Sequence, residues 1–285
     1  MNILSIKDSN TFLINLIQKE ESFIISRLGI GAETYLSYCY SNNMKINFNH
    51  LKILDNNAGI YNINKTFITY CDKYINCLKS SSALATFSNA IVNEQTYFLN
   101  TFNIKAIHSR ILEPFYCCLE NIKPWSHYLI GKKVLIINPF VESFKKQIDA
   151  NFQIFKDPEK KIFLDGQQFI FYKSFQTAAG NHLHSSWIET YEIMCNDIKD
   201  LDFDIALLGC GGYGLPLCNF IKQDLNKSAI YIGGGLQLLF GVMGKRWENN
   251  EMWNKIIKEN DTKFIKPSAV EILKNNEKIE GGCYW

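Results

Sequence analysis

A glycine-rich turn in the second half of the chain has residue types suited to binding phosphate. It follows an apolar segment at 204–208 and precedes a helical pattern at 215–224. Glycines let the backbone approach a phosphate closely, and the free N–H groups at the start of a helix attract the anion. A tight strand-to-helix turn without a ligand is the alternative. The spacing is GxGxxG, and the turn consists of Gly209, Cys210, Gly211, Gly212, Tyr213 and Gly214.

A second glycine run follows the next apolar segment, 228–232. Ligands of parallel sheets bind outside the carboxyl ends of the strands, so this run is also a candidate phosphate contact. An acidic residue that would bind ribose hydroxyls is missing here, which argues against an NAD-dependent dehydrogenase. The candidate contacts in this run are Gly233, Gly234, Gly235 and Gln237.

A basic pair, Lys245 and Arg246, stands beside Trp247 soon after the second glycine run. The two cations can neutralise a diphosphate, and the indole can stack on a base or a sugar. A solvated basic pair beside a core tryptophan is the alternative interpretation.

The first half of the chain offers an acidic and a basic residue around another glycine turn. Arg27 and Glu33 flank Gly29 and Gly31, and the Glu33 carboxylate can ligate a divalent cation that bridges phosphates. Glu33 can equally be a first-turn helix residue favoured by the helix dipole. Asn138 directly follows the apolar run 133–137, as the turn with Arg27 and Glu33 follows the first predicted strand. We consider Asn138 a further contact to the nucleotide.

Two histidines and a capping pattern lie between these motifs. His182 and His184 precede a helix, and a loop role is at least as suitable for them as a role as ligand or base. Ser186, with Glu189 three residues later, predicts a capping box at the start of that helix. Neither feature matches a nucleophile elbow or a Walker loop.

Strand and helix patterns alternate along the chain and predict an α/β fold, a Rossmann-like parallel sheet with helices on both faces. We expect one α/β domain over 1–285, with a sub-boundary near residue 131 and the nucleotide-binding half at 132–285. The predicted strands are 22–26, 83–87, 104–108, 133–137, 204–208 and 228–232, with a further apolar stretch at 168–172. The predicted helices are 9–20, about 33–42, 65–79, 93–102, 141–151, 186–198 and 215–224.

Composition restricts the class of protein. The chain has 285 residues with 30 basic and 28 acidic side chains, and a net charge of +2 argues against a nucleic-acid partner. Nine cysteines without paired spacing or a secretory leader favour reduced thiols and a cytoplasmic location. Apolar runs stay far below the roughly 20 residues of a membrane helix, so any membrane association is expected to be peripheral.

The motifs resemble a known family. The similarity covers about residues 20–42 and 130–285, and it is with GT-D-type glycosyltransferase-like proteins of bacterial and viral surface-polysaccharide gene sets. The Asn138-Pro139-Phe140 segment fits the same pattern. The segments that carry the resemblance are DIALLGCGGYGLPL at 204–217, AIYIGGGLQLLFG at 229–241, GKRW at 244–247 and EGGCYW at 280–285.

The resemblance implies transfer of a sugar from a nucleotide-sugar donor to a surface glycan or polysaccharide acceptor, with a divalent cation, Mn²⁺ or Mg²⁺, helping the diphosphate to leave. Members of the family carry an Arg-x-Gly-Asp-Gly-Glu-like turn whose acidic residues bind this metal. Here Ile30 stands where the Asp is expected, with one extra residue, and only Arg27 and Glu33 carry over.

Three hypotheses follow. In the first, the chain is a glycosyltransferase whose glycine turns hold the diphosphate, whose Lys245 and Arg246 offset its charge, and whose Glu33 supports a metal or acts as base. In the second, it is a catalytically silent nucleotide- or nucleotide-sugar-binding subunit that partners another transferase. The third, a nucleotide-using enzyme such as a methyltransferase, is disfavoured by the missing acidic residue after 228–232.

Overall fold

The computed structural model describes residues 2–19 and 21–285. Within them, seven strands form one sheet in which every neighbouring pair is parallel, as the alternating pattern predicts. Most strands are short apolar runs buried on both faces, which is typical of parallel sheets. The strands are β1 Ile24–Arg27, β2 Ala83–Thr86, β3 Lys105–His108, β4 Lys133–Asn138, β5 Gln168–Lys173, β6 Ile205–Leu208 and β7 Ser228–Tyr231.

The strand order is β3-β2-β1-β7-β6-β4-β5. β1 lies inside the sheet, where Ile25 is in register with Ala83 of β2 on one side and with Ile230 of β7 on the other. The predicted sub-boundary near residue 131 stays a prediction, but strands from both sides of it belong to this one sheet.

Helices cover both faces, and side chains that alternate along the strands divide between two hydrophobic clusters. Leu135 and Ile137 of β4 belong to one cluster, and Val134 and Ile136 to the other. The helices are α1 Ile6–Gln18, α2 Ala32–Ser41, α3 Phe48–Ile53, α4 Phe67–Lys79, α5 Val92–Phe102, α6 Phe115–Leu119, α7 Val141–Asp149, α8 Trp187–Lys199, α9 Gly214–Gln223, α10 Leu236–Leu239, α11 Lys245–Glu248 and α12 Glu251–Asn260.

One helix start and one predicted helix cap differ from the sequence prediction. α1 begins three residues before the predicted start, because the Ser5 hydroxyl accepts a hydrogen bond from the Asp8 N–H (3.0 Å) and caps the helix there. The capping box predicted at Ser186 is wrong, since Ser186 makes no side-chain cap bond. Instead the Glu189 carboxylate accepts from the backbone N–H of Ser185 (2.8 Å) and from its hydroxyl.

The last part of the chain, residues 261–285, is mostly irregular and returns to the carboxyl edge of the sheet. The buried carboxylate of Glu271 fastens it there, because it accepts hydrogen bonds from the backbone N–H groups of Glu142 (2.9 Å) and Ser143 (3.2 Å) at the start of α7. This segment therefore forms one wall over the strand ends.

Within residues 2–19 and 21–285, no helix combines the length and the apolar character needed to cross a membrane.

Candidate functional site

A cavity of about 380 Å³ lies at the carboxyl ends of five neighbouring strands, β1, β7, β6, β4 and β5. This is the edge of a parallel sheet at which ligands bind. Its lining comes from loops far apart in sequence, including the turn before α2, both glycine turns and the C-terminal segment. The sequence-predicted residues that line it are Arg27, Glu33, Asn138, Gly209, Gly211, Tyr213, Gly233, Gly234, Gln237 and Arg246.

Four sequence-predicted residues do not line the cavity. A Cβ added to Gly212 would lie 2.5 Å from Ile60 Cγ1, one on Gly214 would lie 2.2 Å from the Tyr231 ring, and one on Gly235 would lie 1.7 Å from Glu113 Oε1. These three glycines allow close packing behind the site rather than contact in it. Lys245 is exposed at the start of α11 and lies outside the cavity.

The two glycine turns are packed against each other and against the end of β4. Asn138 Nδ2 donates to the Gly209 carbonyl (2.7 Å), and Asn138 Oδ1 accepts from the Phe140 N–H (2.9 Å). A Cβ on Gly209 would lie 2.6 Å from the Gly233 carbonyl oxygen. Asn138 thus holds the loops of β4 and β6 together, and glycine at 209 permits the second turn to approach.

Two predicted contacts, Tyr213 and Gln237, are buried and use their polar groups within the protein. Tyr213 Oη donates to the Gly59 carbonyl (3.0 Å) and lies 2.9 Å from Thr177 Oγ1. Gln237 Nε2 donates to the carbonyl of Tyr284 (3.2 Å). Their side chains therefore support the cavity walls.

Arg27 ends β1 and brings a cation to the second glycine turn. Its Nη1 donates to the Ile232 carbonyl (3.2 Å), and its guanidinium lies 5.1 Å from the centre of the Phe87 ring. A Cβ on Gly233 would lie 2.2 Å from Nη1, so the arginine is pressed against the turn. Its buried Nε has no hydrogen-bond partner among the residues the structure describes.

Glu33 lies in the first turn of α2, and its carboxylate folds back over the preceding glycines. A Cβ added to Gly29 would lie 1.8 Å from Glu33 Oε1. Burial raises the pKa of Glu33, and the Glu280 charge adds to this effect, while a backbone hydrogen bond and the Arg27 charge oppose it. The side chain is thus a carboxylate of raised pKa within the electrostatic reach of Arg27.

Arg246 of α11 also lines the cavity. Its guanidinium pairs with the carboxylate of Glu280, lies 4.6 Å from the centre of the Tyr284 ring and donates to Cys283 Sγ (3.1 Å). The C-terminal segment therefore positions this cation. The basic pair in the sequence marks Arg246 as a candidate but does not indicate these contacts.

Sequence reasoning did not find Glu113, which follows β3 and packs beside Gly235. Burial raises the pKa of Glu113 to about 7, although the charges of Arg27, Arg110 and Arg246 oppose the shift. Its neighbours come from four separate segments of the chain. No signal near residue 113 in the sequence marks it.

The side chains that could ligate a metal were also compared with the ligand set that a divalent cation requires. The carboxylates that line the cavity are Glu33 and Glu280, and no three acidic, histidine or cysteine side chains of the described residues group together as metal ligands. The residues present therefore do not fit a cation held by protein side chains alone. The predicted Mn²⁺ or Mg²⁺ dependence stays a prediction.

The two histidines lie outside the cavity lining. His182 Nε2 is 2.8 Å from Asp55 Oδ1, and its ring stacks on Tyr61 at 4.0 Å. His184 Nδ1 is 2.9 Å from Thr190 Oγ1. The contacts of both side chains hold the loop before α8 in place. This is the structural role in a loop that the sequence analysis set beside a role as ligand or base.

Comparisons of the chain with protein-family models, with curated proteins and with solved structures find no match.

Proposed function

We propose that this protein is a glycosyltransferase that moves a sugar from a nucleotide-sugar donor to a surface glycan or polysaccharide acceptor. One observation carries the proposal. A single cavity at the carboxyl edge of a parallel sheet combines two glycine turns, the guanidinium groups of Arg27 and Arg246, and the carboxylate of Glu33. The resemblance of the glycine segments to GT-D-type proteins supports the same function.

The diphosphate of the donor is assigned to the glycine turns. Gly211, Gly233 and Gly234 line the cavity, and glycine lets the backbone of the two turns approach a phosphate closely. Donor cleavage expels a nucleoside diphosphate, whose negative charge grows in the transition state. Arg27 and Arg246 can stabilise this charge where it develops, which is a large term in catalysis.

Glu33 is assigned the role of general base toward the acceptor hydroxyl. A base works best when its pKa is near the working pH, and burial raises the pKa of Glu33 toward that range. The sugar acceptor would lose its proton to this carboxylate as its oxygen attacks the anomeric carbon and the bond to the diphosphate breaks.

A silent nucleotide-sugar-binding subunit is the second candidate, and a specific observation favours it. Ile30 stands where the resembling family has an acidic residue, and its side chain is 54 % exposed. Turnover separates the two functions, since both bind the donor but only the enzyme releases free nucleotide from it.

The first experiment is a thermal-stability panel of nucleotide sugars and nucleotides, each with and without Mn²⁺ or Mg²⁺. A ligand at 100 times its dissociation constant adds about 2.7 kcal/mol to the stability of the folded protein. We expect one nucleotide class to raise the melting temperature. If no ligand changes the melting temperature of well-folded protein, the donor site does not exist.

Arg246→Ala tests the cationic wall with the best ligand from the panel. We expect an affinity loss of about tenfold or more, because a charge-assisted hydrogen bond contributes about 1.5–3 kcal/mol. Lys258→Ala, which removes an exposed positive charge from α12, is the matched control. Equal affinities of the two variants in calorimetric titration would remove the role assigned to Arg246.

A further inference from the structure

The cavity has two chemically different ends. Arg27 ends β1 and Glu33 follows it in α2, while Arg246 of α11 pairs with Glu280 of the C-terminal segment, whose charge acts on Glu33. The ends of β1 and β5 are four interstrand spacings apart, about 19 Å. Among the described residues, the cavity lining that follows β4 and β5 carries no charged side chain. The cavity therefore suits a long ligand whose charged part lies away from the end formed after β4 and β5.

Aromatic rings line the uncharged end. Phe140 is buried and meets Trp285 edge to face, with ring centres 6.1 Å apart. Trp285 is held by a hydrogen bond from its Nε1 to the Glu271 carbonyl (3.0 Å). Phe175 adds a third ring to this part of the lining. A flat aromatic group packs well against such side chains.

The same part of the lining contains a buried hydroxyl that has no hydrogen-bond partner among the described residues. Ser174 is 3 % exposed, and its backbone N–H donates to the Asn138 carbonyl (3.2 Å). Ser174 Oγ has no hydrogen-bond partner among residues 2–19 and 21–285, although it belongs to the cavity lining. A buried polar atom of this kind is costly unless a ligand satisfies it.

We propose that the end of the cavity formed after β4 and β5 binds the nucleobase of the donor, with Ser174 Oγ hydrogen-bonded to the edge of the base and Phe140, Phe175 and Trp285 enclosing its faces. This inference rests on the proposed function. The sugar takes the opposite end, because its anomeric carbon must lie near Glu33. That arrangement places the diphosphate between them, at the glycine turns.

Calorimetric titration of the full chain with five nucleoside diphosphates, those of uridine, cytidine, thymidine, adenosine and guanosine, and with inorganic pyrophosphate tests this assignment. We expect one nucleoside diphosphate to bind more tightly than the others and than pyrophosphate. Ser174→Ala should lower the affinity for that nucleotide about tenfold, the effect of one lost hydrogen bond, and leave pyrophosphate affinity within about twofold. Ser185→Ala, an exposed serine outside the cavity, is the matched control.

A second variant, Phe175→Leu, should also weaken the preferred nucleotide and spare pyrophosphate. The melting temperature of Ser174→Ala should not fall, because removing an unpartnered buried hydroxyl relieves a cost of folding. This keeps a loss of base binding distinct from a loss of structure.

Four outcomes overturn the inference. If nucleoside diphosphates bind no tighter than pyrophosphate, or if Ser174→Ala binds the preferred nucleotide as the unmodified chain does, the base lies elsewhere while the phosphate site stands. If Ser174→Ala weakens pyrophosphate and nucleotide equally, Ser174 belongs to the phosphate site. If neither pyrophosphate nor any nucleotide binds, the proposed function fails as well.

Discussion

At the scale of single residues, the charged groups of the cavity are arranged so that each carboxylate lies near an arginine. The Arg27 charge acts on Glu33, and Glu280 pairs with Arg246. Glu113 lies outside the cavity lining, and the charges of both arginines act on it as well. The arginines keep their charge at all relevant pH values. The carboxylates are therefore the groups through which pH acts on the site.

Glu113 gives the clearest pH effect. Its pKa is about 7 in the folded protein and near 4.5, the ordinary value, in the unfolded chain. Between these values the folded state holds a proton that the unfolded state has lost, so the contribution of Glu113 to the free energy of unfolding falls as pH rises from 4.5 to 7. Glu113→Gln removes this dependence, and above pH 7 the variant should be more stable than the unmodified chain by about 3 kcal/mol.

Urea unfolding of both proteins from pH 4.5 to 8 measures this difference. Glu120→Gln, which replaces an exposed carboxylate seven residues further along, is the matched control. Parallel stability profiles for Glu113→Gln and the unmodified chain across this pH range would show that burial does not perturb Glu113.

At the scale of elements, the start of α7 depends on a carboxylate from far along the chain. Glu271 accepts from two backbone N–H groups of that helix and from the hydroxyl of Ser143. Glu271→Gln should lower the free energy of unfolding by about 2 to 3 kcal/mol, because an amide presents its N–H₂ group to donors that need an acceptor. Because the same contact holds the C-terminal wall of the cavity, affinity for the best ligand should fall too.

Urea denaturation and calorimetric titration check both effects. Glu277→Gln, an exposed carboxylate of the same segment, is the control and should change stability by no more than about 0.5 kcal/mol. Equal stability of the two variants would show that Glu271 does not fasten the segment.

Local patterns predicted the longer elements because those patterns reflect burial. The run Val134 to Ile137 is buried on both faces, and its position as a strand is confirmed within one residue. Capping contacts were harder to predict than helix positions, since Ser185 replaces Ser186 as the partner of Glu189 although α8 begins within one residue of the predicted start. Five helices, α3, α6, α10, α11 and α12, were not predicted. Four of them have six residues or fewer, which is too short to show a helical period, whereas α12 has ten.

The residues of the candidate site likewise divide into those that a local sequence pattern could predict and those that it could not. The glycine turns could be recognised, because glycine after a strand is a local signal. Glu113 and Ser174 could not, since their importance arises from neighbours that only the strand order brings together. Gly214 matched the motif, and Gly212 and Gly235 stood beside the other glycines of the two turns, yet in the structure all three serve packing.

At the scale of the whole molecule, the central position of β1 joins the two halves of the chain. β1 pairs with β2 on one side and with β7 on the other, so a fragment 132–285 would lose the strand that covers one edge of β7. A fragment 1–131 would in turn expose the edge of β1. Such unpaired apolar edges favour aggregation, and each half should fail to fold when produced alone.

A nick at the exposed turn Ile130–Gly131 should behave differently, because it breaks one peptide bond and leaves every strand pair in place. We expect a chain cleaved at an inserted protease site there to keep its near-ultraviolet circular dichroism and to unfold in urea in one transition. The separate fragments are the comparison. A cooperative urea transition of fragment 132–285 alone would contradict the dependence on β1, and it would make the boundary near residue 131 that of an independent nucleotide-binding domain.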